Sequence, residues 1–350
     1  MRTSTASPSL LRVNFVTTSS DQELAQFRQI TDVDAYYQAN YDFRVLLARY
    51  DLPWCLLSYL YLRDDHRFDM RISNRIDVDA INIAHTVQLE SIGRPPNAFI
   101  VAVRADFRLR PWAHYHIVQN GAQIQKDTSC LYVWPQPGLL PRNRARKGVK
   151  TLAFVGQTSN PKKFQIGNLA GTVDDWKGLF VGDNLEFRAP DVSDWHDLRE
   201  IDVLVGIRSF DNAPHDTKPP SKLINAWLAG IPFIGGADSA YTQIGVDGVN
   251  YIRACTPDAV IAAVRQLRDD PAFYRSLVEN GSRAVRDYTA EATRDKWLQA
   301  IGGPIRERYR RWLEQPRWKW WRTAARAELD MHYTNIRRYA RRALAARMKY

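Results

Sequence analysis

The sequence has little cysteine and no long apolar run. Its three cysteines, Cys55, Cys130 and Cys255, are odd in number and far apart in 350 residues, so neither a disulfide framework nor a CxxC zinc or redox site can be read, and a reducing cytoplasm is the expected setting. The longest greasy stretch, Leu52 to Leu62, is far shorter than the roughly 18 residues that span a bilayer, and the opening MRTSTASPSLLRVNFVTTSS lacks the apolar core of a signal peptide. The chain is expected to be neither secreted by that route nor membrane-spanning. It also has no GxSxG, Walker A, GxGxxG, HExxH or EF-hand pattern, which argues against a serine hydrolase, a P-loop NTPase, a typical dinucleotide enzyme and a zincin. No metal is expected.

What is present reads as an ordinary globular protein, with 45% hydrophobic and 25% charged residues. At 350 residues, two domains are expected. The formal charge is +11, but residues 305–350 alone hold 14 Lys and Arg against 4 Asp and Glu, so the rest of the chain is nearly neutral. That basic segment also carries four of the eleven tryptophans, Trp312, Trp318, Trp320 and Trp321. Arginine with interfacial aromatics suits an anionic membrane surface, and a helix packed on the body with its basic side to water is the plainer alternative. Nucleic acid is not expected as a partner, because the neutral body offers no electrostatic footprint.

Along the chain, residues 1–10 read as a disordered start and Leu11 to Thr17 as a first strand. Ile76 to Ile92 reads as an amphipathic helix, and Ala98 to Val103, His116 to Val118 and Cys130 to Val133 as strands. These define an N-terminal α/β domain over 11–135, expected to bind an acceptor. Residues 136–149, rich in Pro, Gly and basic side chains, read as a linker. From 150 to 304, strands at Thr151 to Val155, Leu185 to Arg188, Val203 to Ile207 and Pro232 to Ile234 alternate with helices, among them a short one capped by Ser193, one at Ser221 to Ala229 closed by Gly230, and one started by Thr256 and Pro257. This is the pattern of a doubly wound parallel sheet, and a basic helical tail follows over 305–350.

Ligands of such sheets sit beyond the carboxyl ends of the strands. After the third strand of the second half stand Arg208, the loop DNAPHDTKPP and the helix SKLINAWLAG, so Lys218, Ser221 and Lys222 meet the free N–H groups of a helix start. These residues, with Arg208, are candidates for holding a diphosphate. Pairing of the cations with Asp211 and Asp216 is the plainer alternative. Gly156 and Lys163 at the first strand end, and Gly236 at the fourth, are compatible with the same site. In the first half the candidates are Asp106, His114 and His116, with Gln119 and Asn120 beyond them. His114 and His116 would face one way on a strand and could meet an acceptor or a metal. The triplets Asp32-Val-Asp34 and Asp77-Val-Asp79 read as helix caps rather than metal ligands.

The run KPPSKLINAWLAGIPFIGG, followed by AYTQIGVDGVNYI, resembles the nucleotide-binding half of the group 1, retaining, GT-B fold sugar-nucleotide glycosyltransferases over about residues 150–300. The resemblance implies two Rossmann-like domains facing a cleft and transfer of a sugar from a nucleoside diphosphate donor to a glycan or lipid-linked acceptor, with Arg208 and Lys222 stabilising the leaving diphosphate. It departs from the family at two points: the two acidic positions are occupied by Thr217 and Asn225, and the glycine pair after the first N-terminal strand is missing from VNFVTTSSDQE. Asn225 can still accept one ribose hydroxyl. Loss of both acids leaves a catalytically silent scaffold that binds a nucleotide or partner as the alternative. The tail would place the enzyme peripherally at the inner membrane face.

Overall fold

The computed structural model describes residues 10–40, 49–92, 95–156 and 172–347. Its first half holds a six-stranded parallel sheet in the order β2-β1-β3-β4-β5-β6, made of β1 (Leu11–Val16), β2 (Phe68–Ser73), β3 (Ile81–His85), β4 (Phe99–Val103), β5 (Tyr115–Val118) and β6 (Thr128–Cys130). Strands β3, β4 and β5 are buried at every position. That is why they read as unbroken apolar runs rather than alternating ones. Helices α1 (Asp21–Arg28), α2 (Val33–Ala39) and α3 (Leu57–Leu62) cover the sheet, α1 starting from a capping box between Ser20 and Glu23.

Two expectations fail here. No helix spans 76–92; residues 77–80 form a turn that leads into β3. The buried amide of Asn82 donates to the carbonyls of Asp77 at 2.7 Å, Ala80 at 3.1 Å and Phe99 at 3.1 Å, fastening the turn to the sheet. Tertiary hydrogen bonds thus override a helical period that β-branched residues support only weakly. Asp77 accordingly caps no helix; it pairs with Arg12 at 3.1 Å and holds the turn through the N–H of Asp79. Asp32 does cap α2, through the N–H of Ala35. The strand expected at Cys130 to Val133 ends at Cys130, where it pairs with Val118.

The second half holds a five-stranded parallel sheet in the order β11-β10-β9-β7-β8, made of β7 (Thr151–Ala153), β8 (Glu186–Arg188), β9 (Val203–Gly206), β10 (Phe233–Gly235) and β11 (Ile252–Arg253). Helices α4 (Val173–Phe180), α5 (Ser221–Ala229), α6 (Ser239–Ile244), α7 (Pro257–Asp269) and α8 (Pro271–Ala284) flank it. Two apolar cores result, one on each face. Gly230 ends α5 at φ 69°, a left-handed position that suits glycine. Thr256 caps α7 through Ala259 N–H. Around residue 193 there is only one turn of 3₁₀ helix, Val192–Asp194, and Asp191 rather than Ser193 caps it.

The chain then returns to the first sheet. Helix α9 (Ala290–Ala300) buries Trp297 and Leu298 against α3 and β1, Trp297 meeting Phe15 edge-on and lying parallel to Trp134. Helix α10 (Arg306–Leu313) adds Tyr309 and Trp312 to the same core. The unit expected over 150–304 therefore gives up residues 290–304 to the N-terminal core, and the expected tail is partly core itself. Helix α11 (Arg317–Arg347) packs on the other face of the first sheet through Ala327. Asp330 latches it, accepting from Arg110 at 3.0 Å and Trp112 at 3.1 Å and pairing with Arg108 at 2.7 Å.

Candidate functional site

Between the carboxyl ends of the two sheets lies a cavity of about 360 Å³. One wall belongs to the second sheet. Arg208 follows β9 and is largely buried, its guanidinium bound to the carboxylate of Asp238 beyond β10 and its Nη2 donating to Pro219 O at 3.5 Å. Asp238 is 1% exposed, and its other oxygen, Oδ2, has no partner. Burial pushes this carboxyl up despite the adjacent guanidinium. Ser221 and Lys222 begin α5, whose first N–H groups have no intrahelical partners. The ammonium of Lys222 lies 4.2 Å above the ring of Phe154. A Cβ on Gly156 would stand 2.6 Å from that ammonium, so glycine is what lets Lys222 hold this position.

The first sheet supplies the other wall. His85 ends β3, Ala105, Asp106 and Phe107 follow β4, and Gln119 follows β5; Tyr50, Trp54, Trp134 and Gln136 complete it. The walls are bridged by polar contacts. Asp106 pairs with Lys218 and accepts from Gln119, while Gln119 Nε2 also donates to Thr217 O at 2.8 Å. Asn120 Nδ2 donates to Lys218 O at 3.0 Å and Ser239 Oγ at 3.0 Å, and Gln243 Nε2 donates to Asn120 Oδ1 at 2.8 Å. The amide of Asn225 forms a two-point pair with Gln136, at 3.3 Å in each direction.

Six residues singled out from the sequence thus share one cavity: Asp106, Arg208, Lys218, Ser221, Lys222 and Asn225. Gly156 stands behind Lys222, and Gly236 packs beside Ile207 outside the cavity lining. Lys163 lies outside the described residues. The cations find partners other than those considered: Arg208 takes Asp238 and Lys218 takes Asp106, whereas Asp211 accepts from Ser209.

His114 and His116 are not at this site. His114 precedes β5, at the amino end of the sheet, with its ring stacked on Phe99 and its Nδ1 accepting from Ile100 N–H at 3.0 Å. His116 lies within β5 and bonds Arg110 O at 3.0 Å. Burial holds the two imidazoles down to about 3 and about 4. They are neutral core groups. Among the described residues no group of three or more His, Cys, Asp or Glu side chains is arranged to hold a metal ion. The sequence stage missed His85, Tyr50, Trp54 and Phe107. The signal available for His85 was the buried run INIAH, whose last residue ends a parallel strand.

No protein-family model matches this chain, and no curated protein matches it. Solved structures do. Anabaena Alr3699/HepE in complex with UDP is similar at TM-score 0.50 and 11% identity, over 84% of this chain and 99% of that one, and further HepE structures carry UDP with glucose or UDP-glucose. TarM is similar at TM-score 0.46 and 13% identity over 71% of this chain, which spans 58% of TarM. The pneumococcal O-GlcNAc transferase GtfA, in complex with UDP and GlcNAc, is similar at TM-score 0.45 and 12% identity over 66% of this chain and 58% of that one. With two parallel α/β units closing on a cleft, the chain has the GT-B fold of the sugar-nucleotide glycosyltransferases.

Proposed function

We propose that the protein transfers a sugar from a nucleoside diphosphate donor to a glycan or lipid-linked acceptor in polysaccharide biosynthesis. The observation that carries this is the convergence of Arg208, Lys218, Lys222 and the open start of α5 on one wall of the cleft, where a diphosphate would meet three cations and unpaired N–H groups. Cations aimed at the leaving group stabilise charge that develops in the transition state. Asp106 is the cavity's one carboxylate among the described residues, and it is bound to Lys218. This supports a retaining transfer without an enzyme nucleophile: the acceptor oxygen bonds to the sugar C1 on the face from which the diphosphate departs, the C1–O bond to phosphate breaks, and a phosphate oxygen takes the acceptor's proton. Ser221 and Asn225 would border the nucleotide, with no metal required. Gly156, Lys163 and Gly236 belong to the same proposal as loop positions around it.

Thermal unfolding with a panel of nucleoside diphosphates tests the donor site, UDP first because the HepE structures hold it. A ligand at about 100 times its Kd adds about 2.7 kcal/mol, so binding reads as a raised midpoint. Turnover of the matching sugar nucleotide separates an enzyme from a silent scaffold, which would bind without consuming donor.

We place contact with an anionic membrane on residues 305–350. Among the described residues no helix is long and apolar enough to cross a membrane. Opposite the latched face of α11, Trp318, Ala325, Leu329 and Ile336 fall within about 40° of one another at 100° per residue, and Trp318, Leu329 and Ile336 are 57%, 70% and 68% exposed. Exposed Arg317, Arg322 and Arg326 flank this stripe. Full-length Trp318→Ser/Leu329→Ser should lose binding to vesicles containing phosphatidylglycerol and keep its UDP response; undiminished vesicle binding would remove the membrane role.

A further inference from the structure

We propose that the first-sheet wall of the cavity is a pyranose-binding subsite, built from the rings of Tyr50, Trp54 and Phe107 around the buried imidazole of His85. The proposal rests on the sugar-transfer reading and adds what the second substrate site recognises. The two walls differ in chemistry. Every cation lining the cavity comes from the second-sheet side, whereas the first-sheet side is apolar and aromatic apart from His85, Asp106, Gln119 and Gln136. Asp106 and Gln119 are engaged in the bridge, and Gln136 in its pairing with Asn225. His85 is the polar group left over.

His85 is fully buried, and its ring lies between Tyr50, stacked at 5.3 Å, and Phe107, edge-on at 5.3 Å. Its Nδ1 is held from one side only: Val87 N–H donates to it at 3.3 Å, and the amide of Gln88 stands 3.0 Å away. An accepting Nδ1 assigns the ring proton to Nε2, and burial, holding the imidazole down to about 4, keeps the ring neutral. Nε2 has no partner. A buried donor that lacks an acceptor is rare in a native fold, and here it borders a cavity.

The occupant must bring an oxygen lone pair to Nε2 and an apolar surface to three aromatic rings. A phosphate would satisfy Nε2 but put charge against Trp54 and Leu57 while the cations of the opposite wall went unused. An alkyl chain would satisfy the rings and leave Nε2 bare. A pyranose meets both demands, because its hydroxyls radiate around the ring edge while its C–H bonds cover the ring faces. Aromatic rings also supply contact area at little conformational cost. The pyranose could be the acceptor's terminal sugar or the sugar carried by the donor, and the two share this chemistry.

Saturation-transfer NMR on the full chain, with methyl glucoside, methyl galactoside, methyl N-acetylglucosaminide and citronellol as probes, tests the subsite, and UDP binding is followed in the same samples by thermal shift. We expect the ring protons of at least one pyranoside to be saturated in the wild type, and the signal to drop at least threefold in Tyr50→Ala, Phe107→Ala and His85→Gln, each of which should keep the UDP shift of the wild type. Tyr50 is 38% exposed, so its variant tests the wall without disturbing a core. Pyranoside signal that survives UDP but disappears with UDP-glucose identifies the donor's sugar as the occupant, and signal that survives both identifies the acceptor. If UDP binds while no pyranoside is saturated, or while citronellol alone is, the subsite proposal falls and the transfer reading stands. If UDP does not bind, the transfer reading itself has failed. If the three variants keep the full pyranoside signal, the sugar binds elsewhere and the proposal is overturned.

Discussion

At the carboxyl ends of β9 and β10 the cavity meets Arg208, Lys218 and Lys222, while at the carboxyl ends of β3 and β4 it meets His85 and Phe107, with the ring of Tyr50 beside them. Both sheets are parallel, and both open their strand ends toward the same space. The topology therefore decides where a ligand sits and leaves what it is to the loops. One wall is electrostatic and suits an anion. The other offers ring faces and one buried donor, which suits a neutral polyol.

Removing the central charge of the electrostatic wall should have the largest effect. Lys222→Ala is expected to lower transfer by about 100-fold or more, the magnitude of losing one preorganised group at a developing negative charge, and to abolish the thermal shift by UDP. A variant that keeps the full UDP shift would move the diphosphate away from α5.

That wall was legible in the sequence, and its partner was not. Pro219, Pro220 and Gly230 punctuate α5 so plainly that the helix start, and hence Ser221 and Lys222, followed from local signals. His85 was hidden because its strand lies in a segment whose apolar spacing also fits a helix, and the bonds that decide between the two, from Asn82 to the carbonyl of Phe99 and to Asn14 at 2.9 Å, join residues far apart in the chain. The return of residues 290–312 to the first core was invisible for the same reason: Trp297 and Trp312 show that they are apolar, and nothing local says against which sheet they pack.

The histidines sharpen the contrast between a core group and a site group. His114→Ala removes a ring packed on Phe99 and orphans the N–H of Ile100, so a loss of about 2–3 kcal/mol of stability is expected with the UDP response of the folded protein unchanged. A normal melting point would show that the ring is not part of the core. The same group predicts a pH dependence. Its folded value of about 3 lies below the ordinary 6.5, so the unfolded chain binds the proton first and stability falls as pH drops below about 6.5. At pH 5 that loss is on the order of 2 kcal/mol for His114 alone. Melting points measured from pH 7 to pH 5 should decline in the wild type and decline less in the variant.

A smaller effect is expected at Gly156. The added methyl of Gly156→Ala would stand 2.6 Å from the Lys222 ammonium, which must swing away from Phe154. Donor affinity should fall by about tenfold, near 1.4 kcal/mol, with little change in melting point. An unchanged donor affinity would show that the position of the ammonium above Phe154 is not the one that binds.

The smallest effect tests how the two walls talk to each other. Asp106 holds Lys218 across the cleft, but both side chains are more than one third exposed, at 37% and 36%, so the pair itself contributes less than about 1 kcal/mol. A diphosphate entering the electrostatic wall would have to compete with Asp106 for that ammonium. Asp106→Asn keeps the shape and the contact with Gln119 while removing the competing charge, and it should therefore tighten UDP binding by a few-fold, an effect that fades as salt screens the exposed pair. Weaker binding in Asp106→Asn, measured by titration calorimetry at low salt, would mean that the pair positions Lys218 for the donor instead of withholding it, and that the first-sheet wall takes part in gripping the diphosphate.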